Sequence, residues 1–170
     1  MRLLTAVLIV FLSLAAIPSH AESKIYGKVI GVTDGDTITV LTPMKAQIKV
    51  RLAEIDAPEK DQPYGQTSKK FLSAMVFNKE VTIFYEAKDR YGRMIGRVWL
   101  GKVDVNLQLV RNGTAWAYRK YLKDEAILKA EEEARNDKVG LWGLQEDQIM
   151  APWEWRHKDK KSASPKSKKE

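Results

Sequence analysis

Three short segments of the 170-residue chain hold most of the side chains that could do chemistry. Residues 34–37 read DGDT, residues 51–59 read RLAEIDAPE and residues 89–93 read DRYGR. Each segment alone is typical of a polar turn or a strand end. Together they offer hard oxygen ligands for calcium or magnesium, arginines that suit phosphate oxygens, and a carboxylate that could take a proton from water.

The composition removes most other kinds of catalytic site. The chain has no cysteine, so disulfides, thiolate metal sites and cysteine nucleophiles are excluded. Its two histidines are His20, near the N-terminus, and His157, near the lysine-rich C-terminus. A globular core without histidine excludes histidine-based metal centres, histidine general bases and Ser-His-Asp triads. Catalysis must therefore use carboxylates, arginines, lysines, tyrosines or a metal held by oxygen.

The first 21 residues have the pattern of a secretory signal peptide. Arg2 precedes an apolar stretch over residues 3–17, Pro18 ends it, and small residues precede a cleavage point after Ala21. A membrane anchor is the alternative, but the stretch is short for a hydrocarbon layer of about 30 Å. We therefore expect a secreted or periplasmic protein that has no membrane association after cleavage.

The basic charge is concentrated at the C-terminus. From Arg156 to Glu170 the chain has seven basic and two acidic residues, whereas residues 22–155 are almost neutral. This composition favours a disordered basic tail over residues 151–170, with a weak hold on phosphate backbones as its functional alternative. The globular domain is then expected over residues 22–150, and a monomer is the default expectation.

Hydrophobic periodicity predicts five strands and an inserted helix. The strands are expected at residues 24–32, 37–41, 47–55, 81–85 and 94–100, with helices at residues 65–78, 103–110 and 124–136. This order predicts an α+β fold: a five-stranded, OB-fold-like antiparallel barrel with about three helices packed outside. A half-open sandwich of the same strands is the alternative. In a barrel the three polar segments lie at strand ends, where they could converge.

The motif order carries a family resemblance over residues 24–143. The segments DGDT, RLAEIDAPE, DRYGR, LVRNGTAWAY and GLW resemble those of the staphylococcal (micrococcal) nuclease family of thermonuclease-like secreted enzymes. The resemblance implies that Asp36 and Asp56 bind a calcium ion through their carboxylates and Ala57 through its backbone carbonyl. It also implies that Glu59 acts as the general base, with an electrostatic or water-ordering role as its alternative.

The same resemblance implies how substrate is held. Arg51 and Arg93 correspond to the two arginines that grip the phosphodiester. The residues implied to contact nucleic acid are Arg90, Tyr91 and Tyr118, with Tyr121 as the alternative to Tyr118. The implied activity is an endonuclease that hydrolyses DNA and RNA with little sequence preference and leaves 3′-phosphate ends. The rival hypotheses are an OB-fold protein that binds single strands without cleavage and a glycosidase that uses a carboxylate pair.

Overall fold

The computed structural model describes residues 23–162, with side chains described to residue 158. The predicted signal peptide and residues 163–170 lie outside the described part. The strands are β1 (Ser23–Asp34), β2 (Thr37–Leu41), β3 (Gln47–Leu52), β4 (Ile55–Asp56), β5 (Glu80–Lys88), β6 (Met94–Leu100), β7 (Val103–Asp104) and β8 (Trp116–Ala117). The α-helices are α1 (Gly65–Val76), α2 (Val105–Arg111), α3 (Glu125–Asn136) and α4 (Pro152–Ser162).

Five strands close into a barrel, as predicted. The strand order is β3-β2-β1-β5-β6, and β3 also pairs with β6, which joins the two ends of the sheet. This closing pair is parallel, with Val50 opposite Met94 and Arg51 opposite Ile95. A closed ring of five strands cannot alternate direction all the way round, so one parallel pair is unavoidable. The closing pair rules out the half-open sandwich.

Alternating apolar side chains fill the barrel. Val29, Ile38, Val50, Ile83 and Val98 come from the five strands, and each is at most 1% exposed. Helices α1, α2 and α3 add Leu72, Leu109 and Ile127 to the same core. The period-two pattern therefore predicts the core because successive strand residues face opposite sides of the sheet.

Two helix starts are tied to β6 through one arginine. Asp104 caps α2 by accepting from the Leu107 N–H, and Asp124 caps α3 by accepting from the Ala126 N–H. The Arg97 guanidinium binds both caps, with Nη2 2.6 Å from an Asp104 oxygen and 2.7 Å from an Asp124 oxygen. Arg97 thereby fixes the two helices relative to the barrel.

The segment expected to begin a disordered tail is instead helical over residues 152–162. Helix α4 is the fourth helix, where about three were predicted. Its Trp153 ring lies 5.6 Å from the Trp116 ring and 5.4 Å from the Tyr118 ring. The lysine-rich composition favours a disordered tail, but these ring contacts hold the segment on the domain as a helix. Within the described residues, no helix is both long enough and apolar enough to cross a bilayer.

Candidate active site

The structure brings Asp36 and Asp56 together at one end of the barrel. Asp36 lies in the turn between β1 and β2, Asp56 ends β4, and their residues are 5% and 1% exposed. Arg51 Nη2 lies 2.7 Å from Asp56 Oδ1 and 3.1 Å from Asp36 Oδ2. Both carboxylates thus meet at the same nitrogen atom, and the positive charge that they share in this structure is the Arg51 guanidinium.

A sharp bend after β3 aims Asp56 at this point. Glu54 has a left-handed backbone with φ of 65°, and Arg51 Nη1 donates to the carbonyls of Leu52 (2.7 Å) and Ile55 (2.9 Å) on either side of it. The arginine thus holds the bend with one nitrogen and the carboxylates with the other. The expected third strand, residues 47–55, is therefore interrupted after Leu52.

Ala57 is part of the same cluster through its backbone. It is buried, and its N–H donates to Asp36 Oδ2 at 2.7 Å. The Thr37 hydroxyl donates to the other Asp36 oxygen at 3.1 Å. These two donors fix the Asp36 carboxylate beside the segment that follows β4. Asp36 is thereby held near Asp56, although the two residues are far apart in sequence.

Glu59 sits on a loop pressed against the start of α1. Its N–H donates to Gln62 Oε1 at 3.0 Å, and the Gln62 amide nitrogen donates to the Met150 carbonyl at 2.6 Å. A side chain at Gly65 would overlap the Glu59 carbonyl oxygen, so glycine is needed where the helix meets this loop. The Glu59 side chain is about a third exposed, at the rim of the cluster.

The sequence analysis missed Arg156, which lies in this cluster. Its Nη2 is 2.7 Å from Asp56 Oδ2 and its Nη1 is 2.6 Å from Glu59 Oε1. The composition of residues 151–170 predicts a solvated tail for this residue, whereas it lies in α4. The available signal was a proline at a helix start, Pro152, followed by Trp153 and Arg156 at a spacing of three, which puts both side chains on one helix face.

Burial disfavours the charged form of carboxylates in this cluster. Burial raises the pKa of Asp56, and Asp36 adds to the increase, although Arg156 and Arg51 act against it. Burial, followed by the charge of Asp36, raises the pKa of Asp34 to about 6. Buried carboxylates in this state favour an additional cation, and their hard oxygens suit calcium or magnesium.

Side chains alone do not form a complete metal-ligand set. Among residues 23–158, no group of three or more His, Cys, Asp or Glu side chains is arranged to hold a metal ion. A cation shared by Asp36 and Asp56 would therefore need backbone carbonyls and waters to complete its shell, which is common for calcium.

The turn between β5 and β6 carries Arg90, Tyr91 and Arg93. Arg93 Nε lies 2.7 Å from Asp89 Oδ2, so this arginine binds its own turn and not Asp36 or Asp56. Its position directly before β6 places it beside β3, the strand of Arg51. Tyr91 is 68% exposed, and the Arg90 guanidinium lies 4.8 Å from its ring centre.

Aromatic residues border the acidic cluster on the other side. The Tyr118 ring is parallel to the Trp153 ring, which lies 5.4 Å away, and meets the edge of Tyr121 at 4.9 Å. Pairing of Asp56 with Trp116 places this aromatic group next to β4. Tyr121 is the more exposed tyrosine, and Trp153 packs against one side of Tyr118.

Comparison with known proteins gives a consistent result. The family described as "Staphylococcal nuclease homologue" matches residues 49–144. An "Uncharacterized endonuclease" of Haemophilus influenzae is 43% identical over 158 residues, 93% of this chain and 86% of that protein. A protein of the same name in Escherichia coli O157:H7 is 44% identical over 137 residues, 80% of this chain and 88% of the relative.

A third relative has a more specific name. The "Micrococcal nuclease" of Shigella flexneri is 36% identical over 172 residues, which cover 95% of this chain and 96% of the relative. The segment that matches the family, residues 49–144, runs from β3 to the turn after α3. It therefore includes Asp56, Glu59 and Arg93, together with the bend at Glu54. On this match, and on the closed barrel with its paired aspartates, the chain belongs to the staphylococcal nuclease family.

Proposed function

We propose that this protein is a calcium-dependent endonuclease that hydrolyses DNA and RNA with little sequence preference and leaves 3′-phosphate ends. The chain is a member of a nuclease family, and its reaction is the hydrolysis of phosphodiester bonds. The observation that carries the proposal is the pair of buried carboxylates, Asp36 and Asp56, that face one nitrogen of Arg51.

The donor set fits a hard divalent cation. Asp36 and Asp56 would hold calcium through carboxylate oxygens, and Ala57 would contribute its backbone carbonyl. When bound, calcium would polarise the phosphate and favour formation of the attacking nucleophile. Both carboxylates are buried, and burial raises the pKa of Asp56, so a cation at this position would offset the cost of burying its charge.

The chain's own residues then supply charge and proton transfer. Arg51 and Arg93 would match the charge that builds on the phosphate oxygens, and such donors are worth roughly 3–4 kcal/mol each. Glu59, at the rim of the cluster, would take the proton from the attacking water, which adds about 10²–10⁴-fold. Arg93 would turn from Asp89 toward the phosphate, since the Arg93–Asp89 ion pair is partly exposed and is separate from the carboxylate cluster.

Aromatic and basic side chains that could bind nucleic acid flank the acidic cluster. The exposed Tyr91 ring beside Arg90 offers a base or sugar an aromatic face with a positive charge. A protein that only bound single strands could use the same tyrosines. Such a protein would gain nothing from Asp36, Asp56 and Glu59, which repel phosphate unless a cation is bound. The carboxylates therefore favour cleavage over binding alone.

The test is cleavage of plasmid DNA and of RNA by the purified protein, with calcium and with excess EGTA. We expect cleavage only with calcium, products that accept a 5′ label without prior removal of phosphate, and no activity in Asp56→Asn. Undiminished cleavage in EGTA would remove calcium from the proposal. Tight binding of single strands with no cleavage in any divalent cation would favour the binding-protein hypothesis.

A further inference from the structure

Helix α4 places a positive charge on the carboxylates that the proposed cation needs. Arg156 Nη2 lies 2.7 Å from Asp56 Oδ2, and Arg156 Nη1 lies 3.3 Å from Asp56 Oδ1 and 2.6 Å from Glu59 Oε1. The guanidinium therefore holds both oxygens of Asp56 and bridges that residue to Glu59. Bidentate pairs of this kind are the strongest that arginine makes with a carboxylate.

Arg156 and Arg51 approach Asp56 from different elements. Arg51, from β3, contacts Asp56 Oδ1 and Asp36, whereas Arg156, from α4, contacts both oxygens of Asp56 and also Glu59. Arg51 is held in addition by two backbone carbonyls. The Arg156 side chain is 39% exposed, compared with 14% for Arg51. Arg156 is thus the arginine that can leave the cluster for solvent.

The rest of α4 keeps this charge near the cluster. Trp153 is three residues before Arg156, on the same helix face, and contacts the rings of Trp116 and Tyr118. Just before the helix, the Met150 carbonyl accepts from Gln62, whose own oxygen binds the Glu59 N–H. A tethered cation has a high effective concentration at its site, so it can compete with a free ion.

From this geometry we infer that Arg156 is an internal competitor of the divalent cation. In the metal-free protein it pairs with Asp56 and Glu59. A divalent cation that binds Asp56 displaces it, because Arg156 occupies both oxygens of this carboxylate and its charge repels the cation. Arg156 thereby lowers the affinity of the site for calcium, and the same ion pairs stabilise the metal-free protein. The inference rests on the proposed calcium-dependent function.

Calcium binding to Arg156→Gln, measured by calorimetry at fixed pH and ionic strength, tests the inference. We expect this variant to bind calcium about tenfold more tightly than the unmodified protein, and to unfold at a lower temperature when calcium is absent. The matched control is Lys158→Gln, which removes the same charge from an exposed position on the same helix. It should change the affinity by less than about twofold, because solvent screens that charge.

Equal or weaker calcium binding by Arg156→Gln would overturn the inference, since Arg156 would then have no competing effect or would help to hold the ligands. If neither protein binds calcium and cleavage persists in EGTA, the proposed function fails as well, so the two failures can be distinguished.

A second measurement does not depend on the variant's folding. In a crystal structure of the unmodified protein with calcium, we expect the distance from Arg156 Nη2 to Asp56 Oδ2 to exceed the ion-pair limit of about 4 Å. A calcium-bound structure in which Arg156 still holds both oxygens of Asp56 would overturn the inference.

Discussion

Arg51 and Arg93 differ in how many contacts their side chains make with the rest of the fold. Arg51 donates to three oxygen atoms, the carbonyls of Leu52 and Ile55 and the Asp56 carboxylate, and it also forms an ion pair with Asp36. Arg93 is bound through its side chain to Asp89 of its own turn. Removal of Arg51 takes one partner from two buried carboxylates and from two carbonyls at once, whereas removal of Arg93 leaves a single, partly exposed carboxylate.

This difference predicts unequal effects on stability. We expect Arg51→Ala to lower the free energy of unfolding by about 3–5 kcal/mol, the range for breaking a buried ion pair. Arg93→Ala should cost less than about 1 kcal/mol. Urea denaturation of both variants at pH 7 measures the two values. Similar losses in the two proteins would show that Arg51 does not hold the bend after β3.

For activity the order is different, because both arginines are assigned to the phosphate. We expect Arg93→Ala to lose about 10²–10³ in kcat with an unchanged circular dichroism spectrum. Arg111→Ala, which removes an exposed arginine at the end of α2, should retain full turnover. A folded and fully active Arg93→Ala protein would contradict the role of this arginine.

At the scale of elements, hydrophobic periodicity predicts the bounds of regular strands well, but it does not predict where side-chain hydrogen bonds interrupt them. Strands β2 (Thr37–Leu41) and β6 (Met94–Leu100) have the predicted bounds. The third strand ends at Leu52, and the slip in apolar alternation between Ala53 and Ile55 correctly indicates a bend before Asp56. The bonds from Arg51 that hold this bend leave no mark in the hydropathy pattern. Helix α4 was missed because most of its residues are charged, so the segment has no apolar periodicity that would predict a helix.

The loop before α1 gives a prediction about backbone spacing. In Gly65→Ala the new methyl group would overlap the Glu59 carbonyl oxygen. We expect a loss of about 1–3 kcal/mol in unfolding free energy, with reduced cleavage because Glu59 must move. Gly31→Ala is the control, since a methyl group there makes only ordinary contacts with Thr39 at 3.5 and 3.6 Å. Equal behaviour of the two variants would contradict the close approach at Gly65.

The start of α3 gives a prediction about pH. The Ala126 N–H and then the Arg97 guanidinium lower the pKa of Asp124 below its ordinary value of 3.8. The stabilisation by this carboxylate is therefore present above pH 3.8 and is lost as the pH falls through the lower folded pKa. We expect Asp124→Ala to cost about 1–2 kcal/mol at pH 7, and the difference from the unmodified protein to shrink below pH 3.8.

Asp124→Asn is the matched control for that experiment, because asparagine keeps the capping oxygen and loses the charge. It should cost less than the alanine variant at pH 7. Urea denaturation at several pH values measures all three proteins, and a constant difference for Asp124→Ala down to pH 3 would contradict the charge contribution.

For the molecule as a whole, sequence reasoning located the acidic pair but not everything that surrounds it. Asp36 and Asp56 were expected together because turns and strand ends meet at the ends of a small barrel. Arg156 is 100 residues from Asp56 along the chain, and only the docking of α4 brings them together. The net charge of +7 is likewise uneven, since residues 22–155 are almost neutral.

This charge distribution predicts the salt dependence of nucleic-acid binding. Deletion of residues 163–170 removes Lys166, Lys168 and Lys169 but leaves α4. If these lysines contact phosphates, the slope of log affinity against log salt should decrease by up to about 2 on single strands. Binding to a labelled oligonucleotide in EGTA measures the slope without cleavage. An unchanged slope would show that these lysines make no phosphate contacts.

The parallel pairing of β3 with β6 has a consequence for where the site lies. Parallel neighbours cannot be joined by a tight turn and need a long crossover connection. Here the connection holds β4, the Glu59 loop, α1 and β5, and it first passes over the end of the barrel where Asp36 and Arg51 lie. Ring closure therefore requires a long crossover, and the residues that carry Asp56 and Glu59 occupy its first part, directly over the end of the barrel that holds Asp36 and Arg51.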